Sequence, residues 1–147
     1  MKVENEYILL DDEIVDLDNV AMIDVAQVGS PFDKPKFTLS VVYPNGIGRT
    51  IDTTDDKSKL KLFRQLNKLG KEIIDNGNDN YANLGFALIN MDKVNRIEYD
   101  VEDKKIIVLA SNRRINTIKT TTSQAKRVLA KMEDAYNRYN QSQVQQL

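Results

Sequence analysis

The stretch that decides the fold is Asn90 to Asn140, NMDKVNRIEYDVEDKKIIVLASNRRINTIKTTTSQAKRVLAKMEDAYNRYN. Val94 to Val101 is predicted to be a strand, in which apolar side chains at Ile97, Tyr99 and Val101 alternate with polar ones, and this period of two is typical of a half-buried strand. Two further β-rich runs, Lys105 to Ala110 and Ile115 to Thr121, predict two more strands. From Thr122 onward the apolar residues recur every three or four positions, which predicts a helix. The stretch therefore predicts three strands followed by one helix.

An earlier stretch repeats this order of elements. Strand patterns cover Val20 to Val28, Phe37 to Tyr43 and Ile47 to Thr53. The last two are joined by Pro44-Asn45-Gly46, and because Asn-Gly accepts positive φ angles, these strands are predicted to form a hairpin. The side-chain oxygens of Thr54 to Asp56 predict the start of a helix. Its apolar stripe is predicted from residues at helical spacing: Leu60, Phe63, Leu66, Leu69, Ile73 and Ile74.

The two stretches also share short matching sequences. Leu17-Asp-Asn-Val20 matches Met91-Asp-Lys-Val94, which lies 74 residues later. Arg49 to Thr54 matches Asn116 to Thr121, at an offset of 67 residues. These matches, together with the shared order of elements, predict an internal duplication.

The chain as a whole is predicted to be a β-rich α+β protein with the order strands, helix, strands, helix. Its length of 147 residues fits a single domain. We expect an acidic N-terminal arm at 1–14 and one globular domain at 15–140, with possible repeats at 15–77 and 84–140. A polar, flexible tail is expected at 141–147.

Two folds fit this order of elements. One is a duplicated four-strand-plus-helix unit, with Tyr7 to Leu10 and Phe86 to Ile89 as the leading strands of the two copies. In outline, this topology resembles the whirly proteins and the related transcriptional-coactivator type of single-strand DNA binder. The other is an OB-type barrel with an appended C-terminal helix, which resembles the small single-stranded-DNA-binding proteins of phages and conjugative plasmids. Both resemblances imply that the chain binds single-stranded nucleic acid.

Composition limits the chemistry that this chain could perform. It has no Cys and no His, which excludes thiol nucleophiles, thiolate zinc sites, Ser-His triads and imidazole metal ligands. The acids Asp11, Asp12, Asp16 and Asp18 have no recognised metal-binding spacing, so we expect neither a metal nor another cofactor. No apolar run approaches the roughly 18 residues of a membrane span, and the N-terminus has no signal-peptide core. The expectation is a cytoplasmic protein that is not an enzyme and does not contact a membrane.

The charge is balanced overall but unevenly distributed. The formal net charge is −1, yet residues 1–18 carry one lysine and seven acids, and residues 104–138 carry nine basic residues and two acids. This asymmetry predicts an acidic arm and a basic face. Sites for single-stranded nucleic acid combine cations for the phosphates with aromatic rings for the bases. The candidates on predicted strands and turns are Arg49, Lys104, Lys105, Arg113, Arg114 and Lys119 for phosphates, and Tyr43 and Tyr99 for stacking.

The N-terminal arm predicts a contact between subunits. Its apolar run, Tyr7, Ile8, Leu9 and Leu10, is expected to add a strand to an exposed sheet edge of a neighbouring subunit. Repeated head to tail, this contact gives a homo-oligomer suited to coating single-stranded DNA. The balanced net charge favours an alternative function, a protein-interaction or inhibitor module of a mobile element that does not bind nucleic acid.

Overall fold

The protein folds into three antiparallel sheets and two long helices. The computed structural model describes residues 1–29, 32, 34–110 and 113–145, of which 113, 116, 118, 119 and 142–145 are described by their backbone alone. Within these residues, eleven strands form sheets of three, five and three strands. This confirms the predicted β-rich α+β class, and the described strands do not close into a barrel. No helix in this part of the chain has the length and apolarity needed to cross a membrane.

The first sheet, called the N-terminal sheet, contains most of the residues predicted as an acidic arm. Its strands are β1 (Lys2–Glu4), β2 (Tyr7–Leu9) and β3 (Ile14–Asp16), paired in that order. Ile8 and Val15 lie opposite each other in the register, and both are buried. The acids of segment 1–14 stay exposed, so this segment folds onto its own chain and keeps an acidic surface.

The second sheet, called the main sheet, contains the predicted hairpin. It has five strands, and all neighbouring strands are antiparallel. The Asn-Gly turn forms as predicted, because Gly46 has a φ of 86° and the Tyr43 N–H donates to the Ile47 carbonyl over 2.9 Å. The strands are β4 (Met22–Val28), β5 (Lys36–Val42), β6 (Gly48–Asp55), β7 (Tyr81–Asn83) and β8 (Ala87–Asn90), in the order β6-β5-β4-β8-β7.

Helix α1 (Lys59–Asp75) packs on one face of the main sheet. Before it, the Asp55 carboxylate accepts the Ser58 N–H over 3.0 Å, as the predicted capping oxygens require. The predicted apolar stripe is partly wrong, because Leu60 and Ile74 are 61% and 45% exposed, whereas Leu62 is fully buried. Leu66, Leu69 and Ile73 are buried as predicted, and they fix the side of the helix on which Leu62 also lies.

Gly70 lies within α1 because the helix approaches the sheet closely at this point. The sequence leaves two positions for the helix end, Gly70 and Asn76-Gly77, and the helix continues to the later one. A Cβ on Gly70 would lie 2.7 Å from Cδ2 of Leu88, which is buried on β8. Glycine inside a helix costs about 1 kcal/mol relative to alanine, so this glycine reflects close packing and not the end of the helix.

The polar sequence from Asp75 to Asn83 predicts a loop, but its last three residues form strand β7. Tyr81 is 5% exposed, and it lies opposite Asn90 of β8 in the strand register. The Tyr81 hydroxyl donates to the Leu17 carbonyl over 2.6 Å. One buried aromatic side chain therefore anchors a strand whose neighbours are polar.

The third sheet, called the small sheet, is followed by the second helix. Its strands are β9 (Val94–Asp100), β10 (Lys105–Ala110) and β11 (Arg113–Lys119), in the spatial order β11-β10-β9. Helix α2 (Thr122–Gln145) follows, so the order of three strands and a helix predicted from the opening stretch is confirmed. The helix extends into the segment 141–147 predicted as a tail. Residues 146 and 147, and residues 111 and 112 of the β10–β11 turn, lie outside the described residues.

The main sheet is covered on both of its faces. Ile23 of β4 points into a main core with α1 and the N-terminal sheet. Its neighbour Met22 points to the opposite face, into a second core with α2 and the small sheet. Met132 of α2 and Val108 of β10 are buried in this second core. The small sheet thus uses one face for the second core, and its other face, called the outer face, is directed away from that core.

Candidate nucleic-acid interface

The outer face of the small sheet carries two of the predicted phosphate contacts, Lys105 and Arg114. Ile106 and Val108 of β10 pack in the second core, so Lys105 alternates onto the outer face. Arg114 lies opposite Leu109 in the register, four residues further along β10 on the same face, and it is exposed. At about 3.3 Å per residue, the two positions are roughly 13 Å apart along the sheet.

Two more predicted contacts, Arg113 and Lys119, belong to the same edge strand, β11. Lys119 lies opposite Lys105, and Arg113 lies opposite Ala110. The side chains of both residues are outside the described part of the structure. By backbone position, four of the six predicted phosphate contacts therefore belong to the β10–β11 pair.

Strand β9 gives the other side of the outer face an acidic character. Glu98 and Asp100 lie on this face, opposite Ile107 and Lys105 respectively. Arg96 is also on it, but its guanidinium is ion-paired with Glu98 at 2.7 Å. Among the described side chains, Lys105 on the central strand and Arg114 on the edge strand have no ion-pair partner.

Lys104 lies in an acidic turn between β9 and β10. The Asp100 carboxylate accepts the N–H groups of Glu102 and Asp103, over 3.0 and 3.2 Å. Lys104 itself has a left-handed φ of 52°. Because three acids share this short turn with it, Lys104 is less suited to a phosphate than Lys105 or the β11 cations.

Arg49 is on β6 of the main sheet, and not on the small sheet. Its guanidinium pairs with Asp12 at 2.7 Å and with Glu13, both in the loop between β2 and β3. Partial burial alone lowers the pKa of Arg49, but these two carboxylates raise it above its usual value. The structure therefore gives Arg49 a second role, in which it holds the N-terminal sheet against β6.

The two tyrosines predicted to stack on bases are on other surfaces. Tyr43 packs against the main core, and Tyr99 packs against the second core on the inner face of the small sheet. The Tyr99 hydroxyl is 3.0 Å from Oγ1 of Thr122 at the start of α2. The predicted groove, with cations and aromatic rings on one face, is not formed by these residues. The reason is strand alternation. Tyr99 lies opposite Ile106 on the inner face, whereas its neighbour Asp100 lies opposite Lys105 on the outer face.

The apolar run predicted to contact another subunit is used within the chain. Ile8 is fully buried in the main core, and Leu10 packs at its edge. Tyr7 is 38% exposed, and the nearby Glu6 and Asp16 raise the pKa of its hydroxyl. Self-association through the N-terminal sheet stays a prediction, and Tyr7 is the member of the run that is exposed.

A buried polar network around Asn90 has no counterpart in the sequence-based prediction. Asn90 is fully buried, and its Nδ2 donates to the Val20 carbonyl over 2.7 Å. Its Oδ1 accepts from the Asn80 side chain over 2.8 Å and from the Asp92 N–H over 3.0 Å. Burial raises the pKa of the adjacent Tyr81 hydroxyl far above its usual value, so this side chain remains a donor. The network joins the turn that precedes β4 to the turn that precedes β9.

A cleft of about 540 Å³ separates α2 from β7 and the end of α1. Ala82, Leu84 and Met91 form part of its apolar lining. Lys131 and Asp134 are among the polar residues, so side chains of both charges line it. This mixture does not select one class of ligand.

No metal centre is formed in the described ranges, where no group of three or more acidic side chains could hold an ion. The absence of Cys and His restricts any site to oxygen ligands. No known protein family, curated protein or solved structure matches this chain. Functional inference therefore rests on the geometry and charge of the surfaces described above.

Proposed function

We propose that the protein binds single-stranded nucleic acid, without sequence specificity, through the outer face of the small sheet along β10 and β11. The observation that carries the proposal is the pair Lys105 and Arg114. Both are on this face about 13 Å apart, and neither has an ion-pair partner among the described side chains. By backbone position, Arg113 and Lys119 belong to the same edge strand as Arg114.

Phosphate contacts, and not base stacking, would supply most of the affinity. No described aromatic side chain accompanies Lys105 and Arg114 on the outer face, since Tyr99 is on the inner face. Each contact with a single-stranded backbone contributes about −0.7 to the slope of log K against log salt. With two to four contacts, we expect a slope of roughly −1.5 to −3. Binding by charge alone also explains why no base preference is proposed.

Of the two predicted folds, we propose the duplication, but of a three-strand-plus-helix unit. The predicted leading strands do not join their copies, because β2 lies in the N-terminal sheet and β8 pairs with β4 in the main sheet. Support for the duplication comes from two turns 74 residues apart, each directly before a three-strand-and-helix unit. Asp16 accepts the Asp18 N–H over 3.0 Å, and Asn90 accepts the Asp92 N–H over the same distance. The residues that follow at Val20 and Val94 are both fully buried. The same local structure at the predicted offset favours duplication over an OB-type barrel.

The test is binding of a fluorescently labelled single-stranded oligonucleotide at about 50 and 200 mM salt. Wild-type protein should bind at the lower salt and lose affinity at the higher. The double variant Lys105→Gln/Arg114→Gln should make the salt slope shallower by about 1.4, or about 0.7 for each lost contact, and weaken binding to every sequence alike.

The matched control is Lys34→Gln/Lys36→Gln, which removes the same charge from exposed positions next to and within β5. It should bind as the wild type does. The proposal is wrong if the wild type does not bind at about 50 mM salt, or if both double variants weaken binding equally.

A second candidate function is a protein-interaction or inhibitor module that does not bind nucleic acid. It is favoured by the balanced net charge of −1, because dedicated nucleic-acid binders are often strongly basic. Absence of oligonucleotide binding in the titration above would favour this candidate.

A further inference from the structure

Helix α1 and the turn before it carry a continuous row of cations, here called the lysine stripe. Its members are spaced by three or four residues, so they project from one side of the helix. Leu62 and Leu66 on the opposite side are fully buried in the main core. All members of the stripe are exposed: Lys57, Lys61, Arg64, Lys68 and Lys71.

The stripe has no neutralising partner in the described part of the chain. The one ion pair of this region joins Lys59 to Asp56 at 3.5 Å, and Lys59 is not in the stripe. No stripe cation lies within 4.0 Å of a described carboxylate. At 1.5 Å per residue, the row extends for about 21 Å before Asp75 ends it. Such a charged row on a fixed helix attracts an anionic polymer.

The geometry favours a nucleic-acid backbone as this polymer. The stripe presents about one cation per turn, or one per 5.4 Å, and a nucleic-acid backbone presents closely spaced phosphates along its whole length. A lipid surface is a poorer partner, because the apolar side of α1 is enclosed in the main core and is not free to insert. Phe63 is half-buried and not part of the stripe, so recognition would depend on charge alone.

We propose that the lysine stripe binds the phosphodiester backbone of a second nucleic-acid strand, so that one molecule of the protein bridges two strands. The first strand is the one bound by the small sheet, and to that extent the inference rests on the proposed function. The two surfaces are kept apart by the main sheet, which has α1 on one face and the small sheet with α2 on the other. One strand therefore does not compete with the other for the same cations.

A bridging experiment tests the proposal. One oligonucleotide is fixed to beads, a second labelled oligonucleotide that cannot pair with the first is added, and the retained label is measured at about 50 mM salt. Wild-type protein should retain the label, and the variant Lys61→Gln/Arg64→Gln/Lys68→Gln should retain at least about tenfold less. Glutamine has a helix propensity close to that of lysine and arginine, so α1 should remain folded.

The matched control removes three charges elsewhere, with Lys2→Gln/Lys34→Gln/Lys36→Gln at exposed positions. It should retain the label as the wild type does. Binding of one labelled strand in solution should fall less for the stripe variant than for Lys105→Gln/Arg114→Gln. Sedimentation without oligonucleotide is measured for the wild type and the stripe variant. Any self-association through the N-terminal sheet does not use the stripe and should be equal in the two, so a difference in retained label then reports the stripe.

The outcomes separate this inference from the proposed function. If the wild type binds one strand but retains no second strand, or if the stripe variant bridges as the wild type does, the inference is wrong and the proposed function stands. If Lys105→Gln/Arg114→Gln binds normally and the stripe variant does not, the proposed site is wrong and the stripe is the nucleic-acid surface. If the protein self-associates without oligonucleotide and the stripe variant does not, the stripe binds the acidic N-terminal sheet of another copy and the inference is overturned.

Discussion

The two three-strand-and-helix units of this protein have the same order of elements but different surroundings. In the first unit, β4 to β6 and α1, the sheet is widened by β8 and β7 and the N-terminal sheet adds side chains to its core. In the second unit, β9 to β11 and α2, the sheet has three strands and packs by its inner face. Among the largest fully buried side chains of the described residues, Ile106 is the one that comes from the second unit.

The comparison suggests a division of roles between similar units. A sheet covered on both faces provides stability, because most of its apolar surface is removed from water. A sheet covered on one face leaves the other face for the proposed nucleic-acid contact, and in this protein that face carries Lys105 and Arg114. The electrostatic difference is consistent with this division, since the acids of the N-terminal sheet pair with Arg49 of the first unit.

The largest expected effect is loss of a core side chain from the first unit. Leu66→Ala in α1 removes a fully buried side chain from the main core and should lower the free energy of unfolding by about 3 to 4 kcal/mol. Met132→Ala at the matching core surface of α2 should cost about 2 kcal/mol, because Met132 is 4% exposed and its helix packs on a smaller sheet. Denaturant unfolding of both variants measures the difference. Equal or reversed costs would contradict the division of roles.

A smaller effect is expected from the paired turns before the two units. Asn90→Ala leaves the Val20 carbonyl and the Asn80 side chain without their partner inside the protein, which should cost about 2 to 3 kcal/mol. The equivalent variant in the first turn is Asp16→Ala, which removes the acceptors of the Asp18 N–H and the Asn19 side chain. Because these hydrogen bonds are exposed and water can replace them, the cost should be about 0.5 to 1 kcal/mol. The same unfolding measurement compares them. A similar loss for both variants would show that the network around Asn90 is not the stronger junction.

The smallest effect is expected at Arg49. Arg49→Gln breaks the ion pairs with Asp12 and Glu13, and it should lower the unfolding midpoint by less than Asp16→Ala does, because exposed ion pairs contribute little. The loss should shrink as salt is raised, since salt screens these charges. The control is Lys59→Gln, which breaks a different exposed ion pair, the one between Lys59 and Asp56. In the oligonucleotide titration, Arg49→Gln should weaken binding less than Arg114→Gln; a greater loss would return Arg49 to the nucleic-acid interface.

Much of the fold could be predicted from local patterns in the sequence. The Asn-Gly hairpin, the later strands and both helices follow from turn chemistry and periodicity, which involve neighbouring residues only. Leu60 was wrongly assigned to the buried stripe of α1. Apolar residues at helical spacing define more than one possible buried side of this helix, and the contact with the sheet selects the side that contains Leu62. Strand β7 was missed because its polar residues hide one buried tyrosine.

Less of the candidate site could be predicted. The phosphate-binding role of the cations on β10 and β11 stays a prediction, and Tyr43 and Tyr99 lie on other surfaces than Lys105 and Arg114. Which face of a strand is covered depends on residues far away in the sequence. The role of Arg49 was missed for the same reason, since its partners Asp12 and Glu13 lie 36 or more residues earlier.

The sequence by itself determined the class of fold, the repeated order of three strands and a helix, the absence of Cys and His chemistry and the uneven charge. These depend on composition and on short-range patterns. The tertiary structure alone decided that the acidic N-terminus is a sheet on the chain's own core, and that the main sheet separates two cores. It also decided that a register shift after Val108 brings Arg114 opposite Leu109 on the outer face. Packing between distant segments fixes these features, because it determines which face of each strand or helix is removed from water.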